Sequence, residues 1–412
     1  MTSEAASPAE PRYGWVVALA AALCLAVANG SMLSISVFLK PLVAEFGWRR
    51  GEVALAYTLG ALSMGLGGLA LGWLSDRLSV RPVALMGAAA LVGALLLLSR
   101  VHALWQFYAA YVLLGGVGAA ACFAPLIACV GGWFERHKGL AIGIVTAGQA
   151  FGYATVPLLA RAMISLLGWR ETYASLGVLA LGVLLPLALL LRDPPGSPQR
   201  KAADAPDAPA GARPALRPVL SPPAAVAWLS AVAIVSGVFV GTGLVHVVPL
   251  AQDAGVPPEL AASVLSVMTV AGIVGRLTFG RVGDAIGGVP AYLLSLLLAT
   301  ALIGWFASIT TLPGFYALAV PYGFSYAATM TCMMMCVREM TLPHHRGLAT
   351  ATVALFGWVG LGLGGWQAGA VYDLTGSYAL PFAIATGAGV VSVGVVAVLW
   401  RIVARRPRLA TA

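Results

Sequence analysis

Arg276 is the residue of this 412-residue sequence whose type and surroundings most directly indicate binding chemistry. It lies in a long apolar run, 17 residues after Glu259 and eight before Asp284, which is about 25 Å and about 12 Å along a helix. A charged side chain in lipid is costly and marks a functional site by default. A guanidinium binds a carboxylate through two parallel hydrogen bonds, so Arg276 is predicted to bind an anion. Two structural alternatives stay open, in which Arg276 extends to lipid headgroups or bonds helix carbonyls.

Other polar and aromatic side chains within apolar runs could orient a small anion, and ordinary helix packing is their alternative. They are Asn29, Thr146, Gln149, Tyr322, Tyr326 and Trp358. His246 can titrate near neutral pH, so it is a candidate proton carrier, with a buried and hydrogen-bonded helix histidine as the alternative. No Asp or Glu lies near the middle of an apolar run. Other protons would therefore travel on the substrate or on peripheral acids such as Glu52 and Glu339.

Neither a cofactor nor a metal is predicted, and the motifs of common enzymes are missing. Cys332 and Cys336 share a helix face without a third ligand nearby, and the Met333-Met334-Met335 run is typical of flexible core packing. The patterns G-x-S-x-G, H-E-x-x-H and G-x-x-x-x-G-K do not occur. We therefore expect neither an enzyme nor an ATP-driven pump.

The composition places all of these residues in a lipid environment. The chain is 60% hydrophobic and only 9% charged, with a mean hydropathy of +0.91, whereas a soluble domain carries about 25% charged residues. Long unbroken apolar runs exclude a membrane β-barrel, which requires alternation. The net charge of +9 comes from scattered basic residues rather than a stripe, so membrane lipid and not nucleic acid is the predicted partner. An all-α membrane protein remains.

A bilayer core requires about 20 apolar residues per helix, and twelve such runs are found between polar breaks. The predicted spans are 14–38, 52–73, 82–100, 106–130, 139–163, 172–191, 224–249, 259–281, 290–310, 314–337, 347–372 and 378–401. Residues 192–223 hold nine of the 25 prolines and are predicted to be a linker. The predicted domains are thus a six-helix bundle at 1–191, the linker at 192–223 and a second six-helix bundle at 224–412.

The distribution of basic residues predicts the orientation. With both termini inside, seventeen of the 24 Lys and Arg residues lie on the cytoplasmic side, six lie outside, and Arg276 is within a span. The positive-inside rule therefore places both termini in the cytoplasm. We expect a monomer in the plasma (inner) membrane.

Four landmarks recur in the two halves of the sequence at one constant offset of 208 residues. They are Gly47/Gly255, Gly72-x3-Asp76/Gly280-x3-Asp284, Lys138-Gly139-Leu140-Ala141/Arg346-Gly347-Leu348-Ala349 and Gly168/Gly376. A shared register across corresponding loops indicates a tandem repeat. Six helices per repeat give both halves the same orientation, an arrangement in which the substrate site lies between the halves and the halves rock around it. Transport is the predicted function.

The turn after the second span carries a gating motif. Its sequence is Gly72-Trp73-Leu74-Ser75-Asp76-Arg77, followed by Arg81, and the second half repeats Gly280 and Asp284. This turn resembles the signature G-x-x-x-D-R-x-G-R-R of the major facilitator superfamily. The resemblance implies that Gly permits close helix approach and that the acid locks the outward-open state by pairing with cations and a helix N-terminus. Ser79 and Val80 replace the second Gly and the first trailing basic residue.

Within that superfamily, most of the chain resembles the monocarboxylate porters. The residues that carry this resemblance are Tyr13-Gly14-Trp15, Gly47-Trp48-Arg49, Trp133 to Ala141 with Gly143, Ala147-Gly148 and Gly152, Gly168-Trp169-Arg170, and Arg276-x3-Gly280-x3-Asp284. In those porters an Arg at this place in the eighth helix binds the substrate carboxylate, and a Tyr occurs in the pocket part of the tenth helix, here Tyr326. Animal members carry an Asp four residues before that Arg, where this chain has Gly272.

The resemblance implies proton symport of a small monocarboxylate such as lactate or pyruvate, with the substrate and protons as partners. Exchange of the oxalate/formate type is the alternative, although that family adds a Lys in the eleventh helix and residues 347–372 contain no Lys or Arg. A transporter-like receptor or sensor is a more distant alternative.

Overall fold

The computed structural model describes residues 12–134, 137–194, 222–341 and 346–404, and every regular element in these ranges is helical. The first half contains α1 (Tyr13–Leu33), α2 (Ile35–Phe46), α3 (Arg50–Leu78), α4 (Val80–Ser99), α5 (Leu104–Leu113), a π-helical turn (Leu114–Ala119), α6 (Ala120–Trp133) and α7 (Lys138–Leu190). The second half contains α8 (Pro222–Asp253), α9 (Pro258–Ile286), α10 (Gly288–Ile303), a 3₁₀ turn (Gly304–Ser308), α11 (Leu312–Met340), α12 (Arg346–Thr375) and α13 (Ala379–Ala404). Most of the predicted linker lies outside the described residues.

Ten helical segments in the described ranges are long and apolar enough to cross a membrane, compared with the twelve spans predicted from sequence. One of the ten runs over 51 residues, Leu140–Leu190, and its backbone breaks at Gly168, where φ is 80° and ψ is 168°. The 29-residue α11 is not among the ten. The predicted spans at 139–163, 172–191 and 314–337 therefore account for the difference in number.

The backbone repeats at the same 208-residue offset as the sequence. Within the described residues, every residue with a positive φ has a counterpart 208 positions away, and the pairs are Gly47/Gly255, Ser79/Gly287 and Gly168/Gly376. Ser79 is the non-glycine member of this set, with φ 95° and ψ 163°, a conformation that is essentially restricted to glycine. The signature position that Ser79 occupies is thus a sharp turn between α3 and α4.

Close helix contacts repeat at this offset as well. A Cβ added at Gly67 would lie 1.9 Å from the carbonyl oxygen of Gly116, and one added at Gly275 would lie 1.9 Å from that of Phe324, 208 residues later in both chain segments. Small residues allow such close approach in membrane helices, where packing drives association. Because Gly275 directly precedes Arg276, the close contact of α9 with α11 fixes the position of Arg276.

Candidate functional site

A cavity lies between the two halves of the helix bundle and has about 600 Å³ of empty space, including its opening to solvent. This volume falls within the range of small-molecule binding sites. Helices α8 to α12 provide most of the lining, and α7 adds Gln149 and Tyr153 from the first half. Among the residues that the structure describes, Arg276 is the only charged one in this lining.

Packing of α9 against α11 sets the position of Arg276. The carbonyl oxygen of Phe324 would lie 1.9 Å from a Cβ on Gly275, and the Cβ of Ala327 would lie 2.8 Å from a Cβ on Gly272. The Asp that animal monocarboxylate porters carry at position 272 would therefore collide with α11 in this packing. Packing thus explains the glycine at position 272, because α9 and α11 meet closely at the place where the Asp side chain would lie.

The Arg276 side chain belongs to the lining of the cavity. Its Nε atom is buried and has no hydrogen-bond partner in the part of the chain that the structure describes. Arg276 Nε therefore does not bond a described helix carbonyl, which was one of the two structural alternatives for this side chain. Tyr153 and Tyr326 line the same cavity and interact electrostatically with the Arg276 charge. An unsatisfied buried polar atom costs about 1–3 kcal/mol, and more when it is charged.

Gln149, Tyr326 and Trp358, all predicted from sequence, also line the cavity. Gln149 lies on α7 and its Nε2 atom donates to Asn29 Oδ1 at 3.1 Å and to the Tyr153 hydroxyl at 3.3 Å. These bonds hold the amide beside the cavity. Trp358 packs edge-on against Phe123 of the first half, with ring centroids 5.8 Å apart, so this wall of the cavity spans both halves.

Three other predicted residues are not among those that line the cavity. The Tyr322 hydroxyl donates to the carbonyl of Phe239 at 3.1 Å, and the Thr146 hydroxyl bonds the carbonyls of Ile142 and Gly143 in its own helix. Asn29 is buried behind Gln149 and positions it. Their polar groups are thus engaged within the helix bundle, although Asn29 acts on the site through its neighbour.

His246 is fully buried and lies outside the cavity lining. Its Nε2 atom is 2.8 Å from the carbonyl oxygen of Gly365, and its Nδ1 atom is 3.0 Å from the Tyr378 hydroxyl. A carbonyl only accepts, so Nε2 carries the proton and Nδ1 accepts from Tyr378. Burial raises the pKa of Tyr378, which keeps this hydroxyl protonated. Arg50 also donates to the Tyr378 oxygen at 2.9 Å, and its positive charge, together with burial of the ring, favours the neutral form of His246.

A network joins the two halves at the outer ends of the helices, meaning the ends that the basic-residue distribution places outside. Arg50 of the first half binds Asp253 of the second at 2.5 and 3.1 Å, and Lys40 binds the same carboxylate at 2.6 Å. Asp373 of α12 accepts from the backbone N–H groups of Arg50 and Gly51, at the N-terminus of α3. A carboxylate at a helix N-terminus satisfies unpaired donors and complements the helix dipole. This outer network joins the first and second halves at that end of the helices.

A second outer contact occupies the equivalent place on the other side of the molecule. Glu259, at the start of α9, accepts from the Ser165 hydroxyl of α7 at 2.5 Å and pairs with Arg161 at 3.3 Å. Ser165 and Asp373 are 208 residues apart, and so are Gly51 and Glu259. The contact of Ser165 with Glu259 is therefore the repeat equivalent of the contact of Asp373 with Gly51. Sequence reasoning missed these residues because each is an ordinary charged or polar residue at the end of a span.

The predicted gating residues whose side chains the structure describes form no ion pairs between the halves. Arg77 stacks on Trp73 of its own helix, with 3.9 Å from its guanidinium carbon to the ring centroid, and Arg81 Nε donates to the carbonyl of Leu191. Asp284 is exposed and has no ion pair with any described residue. A Cβ on Gly72 or on Gly280 would meet no described atom within 4 Å. The expected close helix approach at these glycines is thus not present in this conformation, and the Asp76 side chain lies outside the described atoms.

Tyr153, Tyr292, Met330 and Met333 line the cavity but were not predicted as site residues. Tyr153 follows Gln149 by four residues and therefore shares its helix face, a signal that the sequence contained. The methionine run was interpreted as core packing, yet Met333 belongs to the cavity wall. Met330 and Met333 follow Tyr326 by four and seven residues, so helical spacing places them on the same face of α11 as Tyr326.

Comparisons with known proteins agree with this architecture. The family model of the Major Facilitator Superfamily matches residues 19–277 and 242–412. Monocarboxylate transporter 3 of Rattus norvegicus is 31% identical over 404 residues, which cover 95% of this chain and 80% of the relative. Monocarboxylate transporter 13 of the same species is 29% identical over 392 residues, which cover 92% of this chain and 87% of the relative.

Solved structures of transporters share the fold at low sequence identity. A bacterial homolog of the human lysosomal transporter Spinster, in an inward-facing and occupied conformation, superimposes with a TM-score of 0.72 at 16% identity and covers 98% of this chain and 100% of its own. The nucleoside transporter NupG gives a TM-score of 0.74 at 12% identity, with 94% of this chain and 100% of its own covered. The family model and the curated relatives show that the protein is an integral membrane transporter and not an enzyme. Its all-helical fold, its repeat and its relatives together establish that the chain belongs to the major facilitator superfamily, in the branch that resembles the monocarboxylate transporters.

Proposed function

We propose that this protein carries small organic monocarboxylates across the inner membrane by alternating access, with Arg276 binding the carboxylate. One observation carries the proposal: the Arg276 guanidinium faces the cavity between the halves with its buried Nε atom unpaired among the described residues. A carboxylate can bond two adjacent guanidinium N–H groups at once. The hydroxyls of Tyr153 and Tyr326 would complete its shell from the cavity wall, and Gln149, which donates to the Tyr153 oxygen, would hold that hydroxyl in place.

The arrangement of contacts supports alternating access. In this conformation the outer network and the Glu259 contact hold the halves together on one side, whereas Arg77, Arg81 and Asp284 form no ion pair with a described residue of the opposite half. We propose that this is the inward-facing state, and that the reverse state breaks the outer contacts and forms the lock with Asp76, Arg77 and Asp284. Gly72 and Gly280 have free space in front of them that this closure would fill.

We also propose that the membrane topology has twelve spans with both termini in the cytoplasm. The ten candidate segments become twelve when Leu140–Leu190 is divided at its break at Gly168 and α11 is added. Equal numbers of spans in the two halves agree with the 208-residue repeat of the backbone. Residues 1–191 and 224–412 then form the two bundles that move.

For energy coupling we propose proton symport. No described Asp or Glu lines the cavity, so the proton must bind elsewhere or travel on the substrate. His246 is neutral while Tyr378 donates to it, and Arg50 and Asp253 are the charged groups that act on its ring. When the outer network opens, Arg50 leaves Tyr378, and His246 Nδ1 becomes available to an external proton.

Uptake into proteoliposomes tests the proposal. The labelled panel is lactate, pyruvate, oxalate and a neutral sugar, with and without an inward proton gradient, for the wild type and for Arg276→Gln. We expect gradient-stimulated uptake of a monocarboxylate that Arg276→Gln abolishes. Wild-type transport by the Arg276→Gln variant would refute the site, and exchange that ignores the gradient would replace symport with antiport.

A further inference from the structure

Apart from Arg276 and the polar groups beside it, the cavity wall is apolar. Its large members are Val240, Leu244, Met330, Met333, Trp358 and Leu361. Side chains of this kind favour an apolar ligand through loss of water-exposed area, at about 0.8 kcal/mol for each buried CH₂ group. Methionine is flexible and adapts to irregular apolar shapes. The wall is therefore suited to a substituent larger than the methyl group of lactate.

The hydroxyls in this part of the lining already donate within the protein. Thr329 Oγ1 bonds the Tyr326 carbonyl at 2.6 Å, and Ser236 Oγ lies 3.4 Å from both the Ala233 carbonyl and the Tyr292 hydroxyl. These groups offer few free donors to a second polar end of a substrate. The polar function of the cavity is thus concentrated near Arg276, Gln149 and Tyr153.

Charge restricts the substrate further. The described lining holds one cation and no acid, so a second carboxylate would find no cation of its own. An ammonium group on the α-carbon would lie near the Arg276 charge without an acid to bind it, and burying an unpaired charge is costly. Amino acids and dicarboxylates are both disfavoured by this charge set.

We propose that the substrates are monocarboxylates whose remaining part is an uncharged, bulky hydrophobic group, either branched or aromatic. The inference rests on the proposed role of Arg276 and adds the chemical class of the substrate. The carboxylate binds at Arg276, and the hydrophobic group lies against Met330, Met333 and Trp358. Because Trp358 packs on Phe123 of the first half, this group also lies where the two halves meet.

Binding to the purified full-length protein in lipid nanodiscs tests the class by calorimetry. The probes are lactate, butyrate, hexanoate, glutarate, leucine and 4-methyl-2-oxopentanoate, with hexanol as the control for partition into lipid. Leucine and 4-methyl-2-oxopentanoate share one side chain and differ at the α-carbon, so this pair isolates the effect of the ammonium group. We expect Kd to fall about 4-fold for each CH₂ group, or roughly 15-fold from butyrate to hexanoate. Leucine and glutarate should bind at least about 10-fold more weakly than 4-methyl-2-oxopentanoate.

Two variants separate this inference from the proposed function. Arg276→Gln should abolish binding of every acid, whereas Trp358→Ala should weaken hexanoate binding more than butyrate binding and so reduce the dependence on chain length. If Arg276→Gln binds the acids as the wild type does, the proposed function fails. If binding needs Arg276 but lactate binds as tightly as hexanoate, or leucine as tightly as its oxo acid, only the substrate class is overturned. Absence of binding by every probe would overturn both.

Discussion

Replacement of Asp253 by Asn should shift the protein toward the state in which its outer side is open. Asp253 accepts from Arg50 and from Lys40, and both cations belong to the other half of the molecule. The side chains of Arg50, Asp253 and Lys40 are 13%, 25% and 32% exposed, so neither pair is deeply buried. Partly exposed ion pairs contribute about 0.5–1 kcal/mol each. Loss of two pairs therefore costs the closed state about 1–2 kcal/mol, which is roughly a 5- to 30-fold change in the closed-to-open ratio.

The change can be followed by electron spin resonance distances between labels on the two halves. Ala44 and Leu374 are exposed positions at the outer ends of α2 and α12, and the five native cysteines are buried and should label slowly. We expect a population with a longer distance between the two labels to appear in Asp253→Asn. This population should shrink when the substrate or the proton gradient shifts the equilibrium back toward the closed outer side.

A matched control is Glu45→Gln, which makes the same charge change on the same side of the membrane. Glu45 pairs with Arg170 at 2.9 Å, and both residues belong to the first half. This variant should leave the distance distribution unchanged. An unchanged distribution in Asp253→Asn, or an equal shift in Glu45→Gln, would refute the conclusion that the outer network holds the halves together.

The remaining predictions concern the turn between α3 and α4, the packing of α9 on α11, and the buried histidine. Ser79→Gly should stabilise the protein by about 1 kcal/mol in thermal unfolding. The glycine-type conformation costs serine about 1–3 kcal/mol, and glycine loses about 0.5–1 kcal/mol of this gain through its larger entropy in the unfolded chain. The reciprocal variant Gly287→Ser should destabilise the protein. Gly275→Val should lower folded yield severely, because its Cβ would lie 1.9 Å from a carbonyl oxygen, whereas Gly394→Ala, with no described atom within 4 Å, should not. His246→Gln should keep binding of the carboxylate but lose stimulation of uptake by the proton gradient, and retained stimulation would exclude this residue as the proton carrier.

The fold could be predicted from the sequence because its signals are local and repeated. A run of about 20 apolar residues indicates a membrane helix wherever it occurs, and glycines at equal offsets indicate equivalent turns, as Gly47 and Gly255 show with their positive φ values. Ser79 departs from the signature, which has glycine at this position. That its backbone nevertheless keeps the glycine conformation is a finding of the structure.

The site was harder to predict because helical spacing gives the face of a residue but not its depth or its partner. Tyr322 and Tyr326 lie one turn apart on the same face of α11, yet the Tyr322 hydroxyl bonds the Phe239 carbonyl while Tyr326 lines the cavity. The outer network was beyond sequence reasoning for a similar reason. Arg50 and Asp253 are 203 residues apart, and nothing in either local sequence identifies the other as its partner.

The repeat itself explains where the site had to arise. At the 208-residue offset, Arg276, Tyr292, Tyr326 and Trp358 correspond to Gly68, Ala84, Gly118 and Ala150. The scaffold contacts are thus shared by both halves, as at Gly67 and Gly275, while these four lining groups stand where the first half has only glycine or alanine. A symmetric scaffold preserves equivalent motions of two bundles around a common cavity. Because Arg276 is the one cation among the described residues of the lining, the carboxylate would stay bound to the second half, while movement of the first half would carry Gln149 and Tyr153 relative to it and open either side of the cavity.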